Sequence, residues 1–382
     1  MRSVGVEEEL LLVDPRTGQP AASAGAVLAS ALRSGGRAAG ADGEIPLESE
    51  LHREQVECAT RPLTRMDELH QEIRRWRAEA ARHAEAAGVL VAALATCPLP
   101  VEPSLSVGER YRWIARQFGL PAQEQLTCGC HVHVAVDSDE EGVAVLDRIR
   151  PWLSVLTALS ANSPFWQGED TTYGSYRSRV WSRWPTAGPV DVFGSPERYH
   201  RRVRAMVATG AIRDEGMIYF DARLAASYPT VEIRVADVCL DASTAVLLAA
   251  LVRGLVDTAA RDWRGGRPSP VADTSLLRLA AWRAARSGLD GPLIHPATLR
   301  EDSAEAVVRA LYDHVRDALE DNGDAGLVKE GLAGLQAHGN GARVQRELLR
   351  GTGGDLAAMV LRCARRTLGD DAGAAAVPAR SR

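Results

Sequence analysis

The run VGVEEELLLVDP at residues 4–15 places three adjacent glutamates inside a segment that otherwise has the composition of a buried β-strand. Side chains alternate faces along a strand, so Glu7 and Glu9 project together with Gly5 and Leu11, and Val6, Glu8, Leu10 and Leu12 take the other face. Same-face neighbours lie roughly 6.5 Å apart, close enough for two carboxylates to share a divalent cation or bracket a pair of them. A strand that carries acids on one face needs something on that face to neutralise them.

Three further strand-like segments repeat this interruption by polar residues. In HREQVECAT (52–60), Glu57 shares a face with Gln55, opposite Val56 and Cys58. In TCGCHVHVAV (127–136), His131 and His133 share a face with Gly129 and Ala135, and Cys128, Cys130, Val132 and Val134 point the other way. The CxCH string resembles a zinc cluster, but the pleat puts its thiols and imidazoles on opposite faces, so they do not converge on one ion. In TVEIRVAD (230–237), Glu232 and Arg234 form one face. Taken singly, each has a structural explanation as a solvent-facing acid, a hydrogen-bonded histidine or a surface ion pair. If the four faces converge, each unscreened carboxylate pair at 4 Å costs roughly 4 kcal/mol at an effective dielectric of 20, and bound cations remove that cost. Oxygen ligands with one or two imidazoles favour Mg²⁺ or Mn²⁺ over zinc. Such ions beside an arginine suit phosphoryl transfer.

The chain has 382 residues, 46% hydrophobic and 25% charged, with a formal net charge of −5, which fits a globular protein and argues against broad nucleic-acid binding. No apolar stretch is expected to reach the roughly 18 to 20 residues of a membrane span, and the first strand starts too early for a signal peptide. Six scattered cysteines make no disulfide framework. A cytoplasmic location is the expectation. Lys329 is the only lysine among 45 basic residues, and GLVKEG suits neither a P-loop nor a Schiff base. Phosphate handling therefore falls to arginine and metal.

The patterning predicts an α+β fold with a mixed or antiparallel sheet: strands near 3–13, at 52–60, in VLVAALATCP and at 127–138, and a hairpin about Tyr228 and Pro229. Thr64 and Asp67 predict a capping-box start for a helix running to Gly88. Helices are expected at 243–264, 273–287, 301–321 and 341–368, with no strand in the last hundred residues. This gives a catalytic core at 1–266, a helical region at 267–369 packed on it, and a disordered tail at 370–382.

Six segments in order, VGVEEELLLVDP, QVECATRP, TCGCHVHVAV, ALSANSPFWQGEDTTYGSYRSRVW, PTVEIRVADV and AAWRAARSGLDG, resemble the glutamate-cysteine ligases, most closely the bacterial type 2 carboxylate-amine ligase branch. The resemblance spans about residues 3–300. It implies a glutamine-synthetase-like fold, a curved and mainly antiparallel sheet forming a funnel that holds ATP and two or three Mg²⁺ ions. It implies Glu7, Glu9, Glu57, Glu232 and His131 as metal-site residues, with His133 a weaker candidate near the cofactor. Arg234 matches the arginine aimed at the transferred phosphate. Arg177 matches one associated with substrate or phosphate, with Arg179 the competing choice. Asn162 is expected to cap a helix end, and Glu8 to face away and make a contact behind the sheet or at the surface. The implied reaction converts a carboxylate to an acyl phosphate with ATP and then to an amide, the family substrates being L-glutamate and L-cysteine. Another amine acceptor, a nucleotide-binding protein without turnover and, from His131-x-His133, a metal-dependent amidohydrolase are the alternatives. Small-molecule substrates and a homodimer complete the implied partners.

Overall fold

A computed structural model of the protein describes residues 1–34 and 47–369. Its main sheet has seven strands: β1 (Val4–Val13), β2 (Leu47–Ser49), β3 (Gln55–Ala59), β4 (Leu90–Ala92), β5 (Gly129–Ala135), β6 (Ala222–Leu224) and β7 (Thr230–Asp237). The order is β2-β3-β1-β5-β7-β6, with β4 paired to the distal end of β1, and every ladder is antiparallel. Directly opposed residues of an antiparallel pair share a face. Glu9 lies opposite Glu57, Glu7 opposite His131 and His133 opposite Glu232, so register alone gathers the polar interruptions on one surface.

Between β5 and β7 the register slips: Cys130 pairs with Ala236 but Val132 with Ile233, so Arg234 and Val235 together oppose His131. The extra residue is a β-bulge. It brings Asp237, opposite Gly129, back to the same face as Glu232 and Arg234, where simple alternation puts it on the other.

The opposite face is the core. Val6, Leu10, Leu12, Val56, Val132, Val134, Val231 and Ile233 are all at most 1% exposed. Over them lie the helix Met66–Ala86, which buries Leu69, Ile73 and Trp76 among others, and the helix Ala242–Arg264. Full burial of each such side chain contributes about 1.5–3 kcal/mol. Glu8 sits within this layer, bound bidentately by Arg77 of the first helix at 2.8 and 2.6 Å. Arg77 also donates to the carbonyls of Cys239 at 2.6 Å and Leu240 at 2.9 Å. Contrary to the sequence expectation, Ala242–Arg264 is long and apolar enough to cross a membrane by length and composition, but 72% of its apolar window is buried inside the protein, as in a core helix. Gly254 permits close crossing by the helix Ala304–Asn322, since a Cβ there would stand 3.1 Å from Val315 Cβ.

Several local expectations change. The first long helix begins at Met66 with Arg65 at its N-cap and no side-chain cap; the Thr64 carbonyl instead accepts from Arg253. The 341–368 segment is two helices, Gly341–Gly351 and Leu356–Thr367, separated where Gly353 and Gly354 take φ of 69° and 91°. A further helix spans Ala325–His338, and Leu293–Ile294 pairs with Glu301–Asp302 as a short ladder. The C-terminal helices share core with the sheet: Met359, Val360 and Cys363 cluster with Leu10 and Leu12. The expected tail at 370–382 lies outside the described residues. All six cysteines are buried.

Candidate active site

The polar face of the sheet forms the floor of a cavity of about 280 Å³, lined by Glu7, Glu9, Glu50, Glu57, His131 and Arg234 together with Tyr111, Trp181, Trp184 and Tyr219. Among these, Glu9 of β1, Glu57 of β3 and Glu50, one residue beyond β2, each bring a carboxylate oxygen within 4.8 Å of the others. Two ionised carboxylates at that distance repel by about 3.5 kcal/mol at an effective dielectric of 20. Burial, and then the charge of Glu50, push the Glu9 carboxyl up to about 7, although Arg177, a 2.7 Å hydrogen bond from the Gly129 N–H and Arg234 pull it down. Burial and Glu50, followed by Glu7 and Glu9, raise Glu57 well above the carboxylate range. Three crowded carboxylates with no arginine directly on them are a donor set for a hard divalent cation.

The second group is electrically different. Glu7 lies 3.3 Å from His131 Nδ1 and 3.2 Å from His133 Nε2, and Glu232 is gripped by Arg223 at 2.6 Å and by Arg234. Burial alone raises Glu7, but the hydrogen bonds from His131 and His133 outweigh it and hold its carboxyl below the usual range. Burial likewise works against Glu232, and Arg234 and Arg223 overcome it, lowering the group to about 2. Glu7, His133 and Glu232 also offer ligand atoms within 4.8 Å of one another. Burial and then Arg234 depress His131 to about 4, so the ring is neutral at neutral pH. With Nδ1 turned to Glu7, the buried Nε2 has no protein partner and suits a metal or substrate contact. His133 is held from its other side by Thr230 Oγ1 at 3.0 Å.

Arg234 lies behind the acids with its guanidinium 5.7 Å from the Trp181 ring centroid and 5.9 Å from that of Tyr219. Arg177 is 1% exposed, and its Nε and Nη2 have no hydrogen-bond partner. A Cβ at Gly129 would collide with the Arg177 guanidinium and stand 3.2 Å from His131 Nε2, so the missing side chain leaves room for both unpartnered groups. Asp237, just beyond the bulge, anchors this arrangement. It accepts from Asn162 N at 2.8 Å, Ser163 Oγ at 2.7 Å and Ser175 Oγ at 2.8 Å, and Ser163 Oγ in turn accepts the Arg177 N–H at 3.0 Å.

Neither arginine of GSYRSRVW is part of the cavity lining, and Arg179 turns its Nη2 to Ser182 Oγ at 3.3 Å. Arg177 is the one nearer the acids: its guanidinium lies against Gly129, whose N–H donates to Glu9 at 2.7 Å. Asn162 is not the helix-end cap expected from the sequence: Ala161 is the C-cap of Leu153–Ser160, and the Asn162 Nδ2 donates to Ala93 O at 2.9 Å and Val238 O at 2.8 Å while its Oδ1 accepts from Gln345 at 2.7 Å. Trp181 and Trp184 line the cavity, whereas Trp166, Tyr173 and Tyr176 pack on one another. Sequence reading passed over Glu50, Arg223 and Arg110. The signal for Glu50 was the pairing of LES with QVECA across a short reversal, which brings it to the edge of the Glu57 face.

A family model described as glutamate-cysteine ligase family 2 matches residues 3–361. The chain belongs to glutamate-cysteine ligase family 2. A Streptomyces avermitilis family member named "Putative glutamate--cysteine ligase 2-1" is 63% identical over 369 residues, covering 97% of this chain and 100% of that one. A Streptomyces coelicolor counterpart, "Putative glutamate--cysteine ligase 2", is 62% identical, with 96% and 99% covered. Among solved structures, a glutamate-cysteine ligase from Francisella tularensis in complex with AMP superposes with a TM-score of 0.65 over 96% of this chain and 88% of that one, at 13% identity, a likeness of fold. The ligase class and the glutamine-synthetase-like α+β fold agree with the sequence expectation, and the open antiparallel sheet is not the barrel an amidohydrolase needs.

Proposed function

We propose that this family 2 ligase joins the γ-carboxylate of L-glutamate to an amine, L-cysteine being the first candidate, with cleavage of ATP to ADP and phosphate. The observation that carries the reading is one cavity with crowded carboxylates on its floor and buried arginines and a neutral histidine, several of their nitrogens unpartnered, against them. Glu9, Glu50 and Glu57 fit one divalent cation as a three-carboxylate set, and Glu7, His131, His133 and Glu232 offer further ligands. Mg²⁺ bound there supplies charge neutralisation for the phosphates of ATP.

In the first step a glutamate γ-carboxylate oxygen attacks the γ-phosphorus of ATP; the bond to the bridging oxygen breaks, leaving ADP and an acyl phosphate. Arg234 and Arg177 place fixed positive charge at the phosphoryl group, where low dielectric makes it effective. In the second step the amine attacks the acyl carbon, loses a proton, and inorganic phosphate departs as the amide forms. The aromatic wall of Trp181, Trp184 and Tyr219 limits water access to the acyl phosphate.

ADP release by the purified protein with Mg²⁺, ATP and L-glutamate tests this reading. It should depend on cysteine or on another amine from a panel, and it should vanish in Glu57→Gln. A response to a different amine alone would retain the chemistry and change the product. ATP–Mg²⁺ binding without turnover across the panel would favour a non-catalytic nucleotide-binding protein.

A further inference from the structure

At the mouth of the cavity, the helix Glu109–Phe118 faces the 210–217 segment. Two ion pairs of alternating sense join them: Arg110 with Asp214, and Arg213 with Glu109 at 3.4 Å. Gln117 adds long hydrogen bonds to the carbonyls of Gly210 and Ala211 at 3.4 and 3.3 Å. Tyr111, the residue after Arg110, reaches the Ser49 carbonyl at 3.1 Å, beside Glu50. The helix thus spans the opening with one side chain touching the acidic rim and its neighbour Arg110 lining the cavity beside Tyr219 and Gly216.

The cavity arginines differ in what already holds them. Arg223 uses Nε and Nη2 on Glu232 and Nη1 on the carbonyls of Gly216 and Ile218, so four of its five N–H groups are engaged. Arg234 is paired with Glu232 under Trp181 and Tyr219. Among the described residues, Arg110 has its hydrogen bonds and ion pair with Asp214 alone, and the two side chains are 41% and 43% exposed. An ion pair that open contributes under about 1 kcal/mol, so an incoming carboxylate can displace Asp214 at little cost. An amino acid that reacts through one end at the acid-lined floor presents its second charged end toward this mouth.

From this geometry we infer that Arg110 is a specificity-determining residue: it takes the non-reacting carboxylate of an amino-acid substrate, and Asp214 holds the guanidinium in place until that carboxylate arrives. The inference rests on the ligase reading and narrows the substrate class to compounds with a second carboxylate. The carboxylate can belong to the donor or to the acceptor, and both arms can be measured. Glutamate is compared with 4-aminobutyrate, which lacks the α-carboxylate, and cysteine with cysteamine, which lacks its only carboxylate.

ADP release and calorimetric binding of all four compounds would be measured on the full chain, on Arg110→Gln and on Arg110→Lys. Wild type should prefer the carboxylate-bearing member of at least one pair. Arg110→Gln should reduce that preference about tenfold or more, through KM, because a hydrogen-bonded ion pair is lost. The matching decarboxylated analogue should be unaffected, and Arg110→Lys should restore part of the preference. Asp214→Asn should tighten binding of the preferred compound. A change in the glutamate pair assigns the donor carboxylate, and a change in the cysteine pair the acceptor. Equal preferences in wild type and Arg110→Gln, no preference in wild type, or a uniform loss across all four compounds would overturn the inference. If no compound supports ATP turnover, the ligase reading fails and the binding data alone decide: carboxylate-dependent binding lost in Arg110→Gln upholds the role, and its persistence removes it.

Discussion

Glu8 and Glu9 are neighbours in one strand, yet their conversion to glutamine should change stability in opposite directions. Glu8 lies on the core face with both oxygens on Arg77, the pair being 3% and 1% exposed. Glu8→Gln strands a buried guanidinium, for which a loss of about 3–5 kcal/mol is the usual scale; the carbonyls of Cys239 and Leu240 remain on Arg77 and favour the lower end. Glu9 is on the cavity face, raised to about 7 by burial and Glu50 from an ordinary value of 4.5. A carboxyl whose folded value is raised favours folding less and less as pH climbs from the unfolded value through the folded one. Above both, the shift corresponds to about 3 kcal/mol of destabilisation. Glu9→Gln should therefore raise stability at pH 8 by up to that amount in the absence of divalent ions, since the amide oxygen can still accept from Gly129. Urea unfolding in EDTA measures both, read as the midpoint at constant slope. Added Mg²⁺ should then stabilise wild type, by about 2.7 kcal/mol at a hundredfold excess over Kd, and leave Glu9→Gln largely unmoved. Shifts of the same sign in the two variants, or equal stabilisation by Mg²⁺, would refute the division of this strand into a core face and a cation-binding face.

Mg²⁺ binding should release protons, because Glu9 near 7 and Glu57, raised well above the ordinary carboxylate range, must ionise to act as ligands; affinity should rise from about pH 6 to about pH 8, and calorimetry in buffers of different ionisation heat should show the release. Gly129→Ala should push the Arg177 guanidinium aside, costing about 1–3 kcal/mol of stability and about a hundredfold in ATP turnover, measured by unfolding and ADP release on the same preparation. Arg177→Met should lower turnover by about 100-fold or more, while Arg179→Met stays near wild type, a comparison steady-state kinetics settles. Asn162→Ala removes three buried hydrogen bonds and should cost about 2–4 kcal/mol in urea unfolding.

The acids and histidines of the floor were legible because strand alternation is a strict period of two: the parity of Glu7, Glu9, Glu57, His131, His133 and Glu232 survives into three dimensions, and the register of β1 with its neighbours lines them up. The same rule hid Asp237. A bulge adds one residue opposite His131, and counting alternation from Glu232 then gives the wrong face. Arg110 and Arg223 were hidden for another reason. Each is one arginine in an arginine-rich chain, on a helix or short edge strand whose position against the cavity depends on long-range packing. The helix breaks near Gly353 were readable in GTGG, but the loss of the expected Thr64 cap to Arg253 was not, since that contact joins residues 189 positions apart.

The burial of all six cysteines bears on the company this protein keeps if it handles cysteine. The disulfide dimer that forms when a free-thiol substrate is oxidised is attacked by any accessible thiolate, which releases one thiol and leaves a mixed disulfide on the protein. Here Cys128, Cys130 and Cys239 are pushed far above the ordinary thiol range by burial, and Cys97 to about 12 by the same cause. They stay protonated and unreactive at physiological pH. The cysteines beside the histidine strand, which first suggest a metal cluster, instead line the side of the sheet turned away from solvent, where they are shielded from substrate thiols and from oxidation.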